Sequence, residues 1–248
     1  MTKHFKVNQS DSTKSKKNLK THVHIVLDRS GSMTTCRQST IDGFNEYINT
    51  LRSDTDGKYF VTLTQFDTDI KGPRLEDTFT DIQLEKVPTL TQKDFEPSGM
   101  TPLHDATGIS LNESKRRLSA KKGTNTAVVV IMTDGGENAS KEYRAETIKK
   151  MIDECEADGW TVTYMGANQN AEAIGGSLGF KVGKMRTYDT GNMAAAFSRL
   201  AGSTVQRRTA YTKTLDTMDY NATVEDVTRA FADTSSEVFF KEDDNEDS

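Results

Sequence analysis

Three short segments of the sequence carry closely spaced, oxygen-bearing side chains. The first, DRSGS at residues 28–32, places two hydroxyls at alternate positions directly after a run of β-forming residues. The second, PSGMTPLHD at residues 97–105, contains Thr101, and the third, MTDGGEN at residues 132–138, contains Asp134. Carboxylate and hydroxyl oxygens are the ligands that hard cations such as Mg²⁺ and Ca²⁺ prefer. If the three segments meet in the folded chain, they predict a site for a divalent cation.

The donor set favours Mg²⁺ as the ion. In an extended or turning loop, side chains two positions apart point the same way, so Ser30 and Ser32 can reach one ion, and Gly31 between them adds no Cβ to the turn. A tight Ca²⁺ site needs ~6–8 oxygens with several carboxylates, whereas Mg²⁺ accepts few protein ligands and keeps water. We therefore predict Mg²⁺, with Mn²⁺ and Ca²⁺ as alternatives. The predicted metal-site residues are Asp28, Ser30, Ser32, Thr101 and Asp134.

Each segment alone also has an ordinary structural explanation. Ser-Gly-Ser after a strand is commonly a loop that caps the next helix. Thr101 followed by Pro102 is a good beginning for a helix, and Thr133-Asp134-Gly135 is a common turn. The metal-site interpretation therefore depends on the combination of the three segments and on their order.

Strand and helix patterns alternate along the chain between these loops. Buried-strand patterns cover residues 22–27, 59–66, 127–132 and 160–165, with shorter ones at 74–79 and 180–182. Helical patterns cover residues 37–53, 102–119, 141–158, 171–178 and 192–211. Such alternation predicts an α/β fold, a doubly wound and mainly parallel central sheet with helices on both faces. In these folds, sites lie beyond the carboxyl ends of the strands, where the strand order reverses.

The pattern Asp-x-Ser-x-Ser, followed by a distant Thr and a distant Asp, resembles the metal-ion-dependent adhesion site of von Willebrand factor type A (VWA) domains. The chain matches this pattern at all five positions. LDRSGSM, TIDGFNEYI, PSGMTPLHDA, TDGGENAS and GANQNAEAIGGSLG are similar to blocks of the small stand-alone VWA proteins of bacteria and their phages. The resemblance covers residues 20–212. It implies a VWA fold with one antiparallel edge strand.

The resemblance also implies roles for the site residues. Ser30, Ser32 and Thr101 would coordinate the ion directly, in varying combination, and Asp28 and Asp134 would act through water. Because the hydroxyls that would bind the ion are neutral, the cation would keep most of its positive charge and attract an acidic residue of a partner protein. We therefore expect a metal-dependent protein-binding module that is not an enzyme. The surrounding loop residues that could provide selectivity are Arg29, Thr34, Met100, His104, Glu137 and Asn138.

Two other function classes remain open at this point. A metal-dependent hydrolase or phosphotransferase would use the same ion as a Lewis acid. The sequence has no evident nucleophile–base pair and no Walker-type phosphate loop, and His104 and Asp67 are the only further candidates for such chemistry. A degenerate structural copy that binds nothing is the other class, and the complete set of five site residues argues against it.

Composition and charge narrow the setting. The net charge of −5 over 248 residues argues against general nucleic-acid binding. No run of ~18 apolar residues is present, so no membrane-spanning helix is expected. The first residues are basic and lack an apolar region, so we do not expect a secretory signal. Two cysteines do not suggest a disulfide framework or a zinc site. We therefore expect a cytoplasmic protein, in the host cytoplasm if the chain is phage-encoded.

The predicted organisation has three parts: a basic, flexible segment at residues 1–20, a VWA domain at residues 21–212, and an extension at residues 213–248. The extension carries an amphipathic helical pattern at residues 222–233 and then the acidic run KEDDNEDS at residues 241–248. Carboxylates of this run could bind the ion's open position in the same chain or in a neighbouring copy, which would produce a self-assembling homo-oligomer. In that case, removing residues 241–248 should change the oligomeric state only when magnesium is present.

Overall fold

A computed structural model describes residues 18–167, 171–219 and 222–240. Most of the predicted basic segment and all of the acidic run at residues 241–248 lie outside the described residues. The self-assembly hypothesis and the division of the chain at residues 20 and 212 therefore stay predictions.

The described residues form one six-stranded sheet with the strand order β3-β2-β1-β4-β5-β6. All neighbouring strands are parallel except β2 and β3, which form an antiparallel pair at one edge. The predicted fold class is confirmed. The strands are β1 Lys20–Asp28, β2 Lys58–Asp69, β3 Gly72–Gln83, β4 Asn125–Thr133, β5 Thr161–Ala167 and β6 Met185–Tyr188.

Helices cover both faces of this sheet, because its central strands are apolar on both sides. In β4, whose sequence is NTAVVVIMT, every residue after the first is buried. Alternate residues of β4 join two separate cores, one beneath α1 and α5 and the other beneath α2, α3 and α4. The helices are α1 Arg37–Arg52, α2 Leu103–Ser119, α3 Ala145–Ala157, α4 Ala171–Ser177, α5 Met193–Thr217 and α6 Val224–Ser236.

The edge strands differ from their predicted extents. The strand predicted at residues 74–79 is twelve residues long, because it forms the second arm of a hairpin with β2. The strand predicted at residues 180–182 is wrong, and β6 begins at Met185 instead. Gly183 turns the chain there with a φ of +78°. Phe180 is buried in the core beneath α2, α3 and α4 instead of pairing with β5.

The helix predicted at residues 141–158 begins later, at Ala145. The carboxylate of Asp105 accepts hydrogen bonds from the backbone N–H groups of Lys141, Glu142 and Tyr143 at 2.7, 2.9 and 2.8 Å. These bonds hold three consecutive N–H groups towards one point, so residues 141–144 form a loop in contact with α2 instead of a helical turn.

The amphipathic helix predicted at residues 222–233 is α6, which packs on α5. The ring of Phe231 in α6 packs at a tilt of 42° against that of Tyr211 in α5, with ring centroids 4.6 Å apart. Thr223 and Asp226 form a capping box at the start of α6. Beyond the helix, the backbone N–H groups of Phe239 and Phe240 donate to the carbonyl of Gly183 at 3.0 and 2.9 Å. None of the helices in the described part of the chain is long and apolar enough to span a membrane.

Candidate metal site

The predicted site lies at the point where the strand order of the sheet reverses, between β1 and β4. Strand β1 has β2 on one side and β4 on the other, so the carboxyl ends of β1 and β4 are neighbours. Asp28 is the last residue of β1, and Thr133 is the last residue of β4. Three loops meet at this edge, and we name them loop A (residues 29–36), loop B (residues 97–102) and loop C (residues 134–140).

Asp28 joins loop A to the end of β4. Its side chain is fully buried, and one oxygen accepts from the backbone N–H of Ser30 at 2.6 Å. The other oxygen accepts from the hydroxyl of Thr133 at 2.6 Å. Burial raises the pKa of Asp28 to about 6, although the bonds from Thr133 and Ser30 oppose that shift. Asp28 therefore holds the loop in place from beneath.

The two serine hydroxyls of loop A are adjacent. Ser30 Oγ and Ser32 Oγ lie 3.1 Å apart, and Ser32 Oγ donates to Asp134 Oδ1 at 2.6 Å. Neighbouring ligands of an octahedral Mg²⁺ with bonds of ~2.0–2.1 Å are ~2.9 Å apart. The hydroxyl spacing in the structure is therefore close to the spacing that the ion requires.

Thr101 brings loop B to the same place. Its backbone N–H donates to Asn138 Oδ1 at 2.8 Å, and its carbonyl accepts from the Asn138 N–H at 3.1 Å, so loops B and C are joined by two bonds. A Cβ placed on Gly135 would lie 3.2 Å from Thr101 Oγ1 and 3.9 Å from Ser32 Oγ. Both hydroxyls thus border the space beside Gly135. The structure brings the five predicted residues together.

Loops A and B are held together through their backbones. The N–H of Ser98 donates to the carbonyl of Arg29 at 2.8 Å, and the N–H of Gly31 donates to the carbonyl of Gly99 at 3.0 Å. Gly99 has a φ of +71°, and a Cβ there would lie 2.3 Å from the carbonyl oxygen of Thr68. Only glycine fits this position, because the close approach of loop B to β2 leaves no room for a side chain.

Three of the six residues suggested for partner selectivity make contacts that hold the loops. Arg29 is 7% exposed and donates to carboxylates within the chain, and the Asn138 side chain bonds to Thr101. Glu137 accepts from the N–H groups of His104, Ala139 and Ser140 at 2.7–2.8 Å. These bonds and one from the Ser140 hydroxyl outweigh the effect of burial and lower the pKa of Glu137.

The other three residues suggested for selectivity remain accessible. Thr34 is exposed, Met100 is 54% exposed, and the side chain of His104 is partly exposed. Met100 directly precedes Thr101, so it is the accessible apolar side chain nearest in sequence to a site residue. These three side chains are available to contact a bound partner.

The donor chemistry fits a hard divalent cation. Within the described ranges, no three His, Cys, Asp or Glu side chains converge in a way that could hold a metal. A zinc site or a carboxylate-rich calcium cage therefore has no support there. What converges is a set of hydroxyls with two carboxylates, which suits an ion that keeps water and an open position.

Sequence reasoning missed two residues that organise the site. It treated Thr133 as part of an ordinary turn, yet the Thr133 hydroxyl bonds to Asp28. It gave no role to Asp105, whose side chain is 1% exposed and fixes the backbone that follows loop C. The position of Thr133 directly before Asp134 was a usable indication, whereas the contact of Asp105 spans 36 residues of sequence and was not.

No family profile and no curated protein matches this chain. Solved structures do match, and they share the fold of VWA domains. The proximal thread matrix protein 1 of the mussel byssus aligns with a TM-score of 0.53 and 14% identity over 73% of this chain and 47% of that protein. The chain therefore spans about half the length of the byssus protein.

Two bacterial pilus proteins align similarly. The vWF domain of the pilus tip protein Mfa5 from Porphyromonas gingivalis has a TM-score of 0.52 and 13% identity over 74% of this chain and 94% of that one. The open form of the pilus adhesin SpaC from Lactobacillus rhamnosus GG has a TM-score of 0.56 and 12% identity over 76% of this chain and 30% of that one. A further structure of the byssus protein has zinc in its own metal-ion-dependent adhesion site. At these identities the likeness shows the fold alone, which is that of a VWA domain.

Proposed function

We propose that this chain is a divalent-metal-dependent protein-binding module that recognises an acidic residue of its partner. The observation that carries the proposal is the convergence of three hydroxyls, from Ser30, Ser32 and Thr101, at the reversal point of the sheet, beside the carboxylates of Asp28 and Asp134. In this proposal the metal-ion-dependent adhesion site is intact, and the chain is a bacterial or phage member of the VWA class.

The proposed ion is Mg²⁺, with Mn²⁺ and Ca²⁺ as alternatives. The hydroxyls of Ser30, Ser32 and Thr101 would bind it, and Asp28 and Asp134 would orient those hydroxyls and balance charge. When bound, the ion supplies a positive centre that a carboxylate can complete. Asp134 accepts the hydrogen bond of Ser32 Oγ, so the oxygen of that hydroxyl accepts from Ser30 Oγ and keeps a further lone pair for a cation.

The proposed partner is a protein that presents Asp or Glu to the ion. Thread matrix and pilus proteins with this fold are consistent with such a role. The net charge of −5 supports a partner other than nucleic acid, and the proposal includes no membrane contact. The proposed location is the cytoplasm, with which the free and buried Cys36 and Cys155 are consistent. A homo-oligomer formed through residues 241–248 is the alternative partner arrangement.

Affinity capture from extract tests this proposal. The full chain is used as bait in magnesium and in chelator, and the Ser30→Ala/Ser32→Ala double variant is used in magnesium. Proteins bound only by the wild type in magnesium are then assayed with the purified chain. We expect direct binding that requires the ion and is lost when surface acids of the captured protein are replaced by amides.

Failure of the wild-type chain to bind Mg²⁺, Mn²⁺ or Ca²⁺ in calorimetry would overturn the proposal. Capture that is equal in magnesium and chelator would also overturn it, because the recognised group would then not bind through an ion.

We also propose that the chain is not an enzyme. Asp67, one of the two further candidates for hydrolytic chemistry, is fully buried and bonded to two arginines. The other, His104, lies 4.0 Å from Glu137, which is already bonded to four donors. Magnesium-dependent turnover of a phosphoester by the wild type, lost in Asp134→Ala, would contradict this part of the proposal.

A further inference from the structure

A buried carboxylate lies beneath loops A and B. Asp67, near the end of β2, is fully buried. It accepts from Arg29 Nε at 3.0 Å and from Arg74 Nε and Nη2 at 2.7 and 2.6 Å. An ionised carboxylate is costly to bury unless it is paired and hydrogen-bonded, and here two guanidinium groups provide that pairing.

Asp67 connects the two loops that carry the hydroxyls. Arg29 belongs to loop A and lies between Asp28 and Ser30 in sequence. Ser98 of loop B donates to Asp67 Oδ2 through its hydroxyl at 3.4 Å, and its backbone N–H donates to the carbonyl of Arg29 at 2.8 Å. The carboxylate therefore contacts a side chain from each loop at the place where the two backbones are bonded.

Further contacts keep the Arg29 side chain in place. Its two terminal nitrogens donate to Glu76 of β3 at 3.2 Å, and its backbone N–H donates to the carbonyl of Phe66 at 2.8 Å. Arg29 is thus fixed to β2 and β3 at several points. Movement of loop A away from β2 would break the bond from Arg29 to Asp67 and leave Arg74 as the remaining guanidinium partner of the buried carboxylate.

The separation of the loops determines which ion fits. Ser30 and Ser32 belong to loop A, and Thr101 belongs to loop B, three residues after Ser98. Mg²⁺ requires near-octahedral ligands at ~2.0–2.1 Å, whereas Ca²⁺ accepts flexible geometries at ~2.3–2.6 Å. A fixed, short separation favours the smaller ion, and a loose one removes that preference.

We propose that Asp67 is a positioning residue that sets the distance between the loop A hydroxyls and Thr101, and that it thereby makes the site prefer Mg²⁺ over Ca²⁺. This inference rests on the proposed function only in requiring that the site binds a divalent ion. It requires no partner protein.

Calorimetric titration of the full chain with MgCl₂ and, separately, with CaCl₂ tests the inference. In Asp67→Asn, which has nearly the same shape, we expect Mg²⁺ affinity to fall ~10-fold, the lower end of the loss for groups bonded directly to a metal ligand, because Asp67 acts through Arg29 and Ser98. Ca²⁺ affinity should fall less than ~3-fold, because Ca²⁺ tolerates looser ligands. The ratio of the two affinities is the decisive quantity, since a general loss of stability would lower both alike.

Arg74→Gln is the matched control. It removes a partner of the same carboxylate, but Arg74 lies on β3 and the hydrogen bonds of its side chain run to Asp67 instead of to a loop, so the affinity ratio should stay close to that of the wild type. If Asp67→Asn does not fold, Ser98→Ala removes only the bond from loop B and should lower the ratio in the same direction by a smaller factor.

An unchanged Mg²⁺/Ca²⁺ ratio in Asp67→Asn or, where that variant does not fold, in Ser98→Ala would overturn the inference and leave the proposed function intact. A ratio that falls equally in Arg74→Gln would also overturn it. A wild-type chain that binds neither ion would overturn both.

Discussion

Two clusters of polar side chains adjoin strand β1. They differ in whether their hydrogen-bonding groups are paired within the chain. At the carboxyl end lie the hydroxyls of the candidate metal site. Midway along the strand, His24 is 4% exposed and bonds through Nδ1 to Ser114 Oγ and through Nε2 to Thr64 Oγ1, both at 2.7 Å. Thr64 in turn donates to Asp77 at 2.5 Å, so it accepts from His24, and the neutral imidazole carries its proton on Nε2.

The difference lies in how the lone pairs are used. In the His24 cluster, the donors and acceptors of the ring face partners of the same chain, and the cluster is closed. At the metal site, Ser32 is exposed, and its hydroxyl borders the same space as that of Thr101. Serine, threonine and aspartate occur in both clusters. Closed pairing makes them structural, and convergence on an open space makes them available to a ligand.

The largest expected effect concerns Asp134→Ala. Removing the acceptor of the Ser32 hydroxyl should lower Mg²⁺ affinity up to ~100-fold, or ~2.7 kcal/mol. The free energy of unfolding should change by only ~0.5 kcal/mol or less, as for other accessible positions. Calorimetry and urea unfolding measure the two quantities. Asp153→Ala, an exposed aspartate on α3, is the control and should leave Mg²⁺ affinity unchanged. A large stability loss in Asp134→Ala would remove the distinction between the clusters.

The second effect is a pH dependence of stability from the closed cluster. Burial, and then the charge of Arg117, lower the pKa of His24 to about 3, although Asp77 and Glu113 oppose the shift. The unfolded chain binds a proton near pH 6.5, so this contribution is complete above that pH and is lost as the pH falls towards 3. Between pH 7 and 4.5, the wild type should lose roughly 2 kcal/mol more than His24→Gln.

Urea unfolding of both proteins at a series of pH values gives this difference directly. Asp28 acts in the opposite direction between pH 6 and 4, because burial raises its pKa, but its contribution cancels in the comparison. Parallel pH profiles for the two proteins would show that the His24 cluster is not closed.

The smallest effect is expected for Ser114→Ala. The serine is 3% exposed, and its hydroxyl donates to His24 Nδ1. Its loss should cost ~1 kcal/mol of stability, the usual value for one buried hydrogen bond, and should leave Mg²⁺ affinity unchanged. Denaturant unfolding and calorimetry on one preparation measure both. A change in Mg²⁺ affinity would mean that the two clusters are coupled through β1.

The local sequence pattern correctly predicted those strands and helices whose bounds depend on their own residues. The apolar run of β4 and the helical spacing of α1 gave nearly correct bounds, because each element buries its own periodic face. The convergence of the five predicted site residues could be anticipated in the same way, since each follows or precedes a predictable element. The bounds of β3 could not, because they depend on pairing with β2.

Long-range contacts account for the errors. The pattern at residues 141–144 favours the first turn of a helix. The carboxylate of Asp105 instead accepts hydrogen bonds from the backbone N–H groups of residues 141–143. Arg29 and Glu137 were suggested as accessible selectivity residues, yet partners distant in sequence, Asp67 and His104, bond to them. A single sequence does not indicate which polar side chains will meet across such distances.

The packing of α6 on α5 has a practical consequence for anyone who clones this domain. An expression fragment that stopped at residue 212, the predicted end of the VWA domain, would cut α5 within its length and discard α6. Phe231, Phe239 and Phe240 would be missing, and the aromatic ring of Tyr211 would face solvent. Such a truncated product should precipitate, whereas one that continues through residue 240 keeps this apolar surface covered.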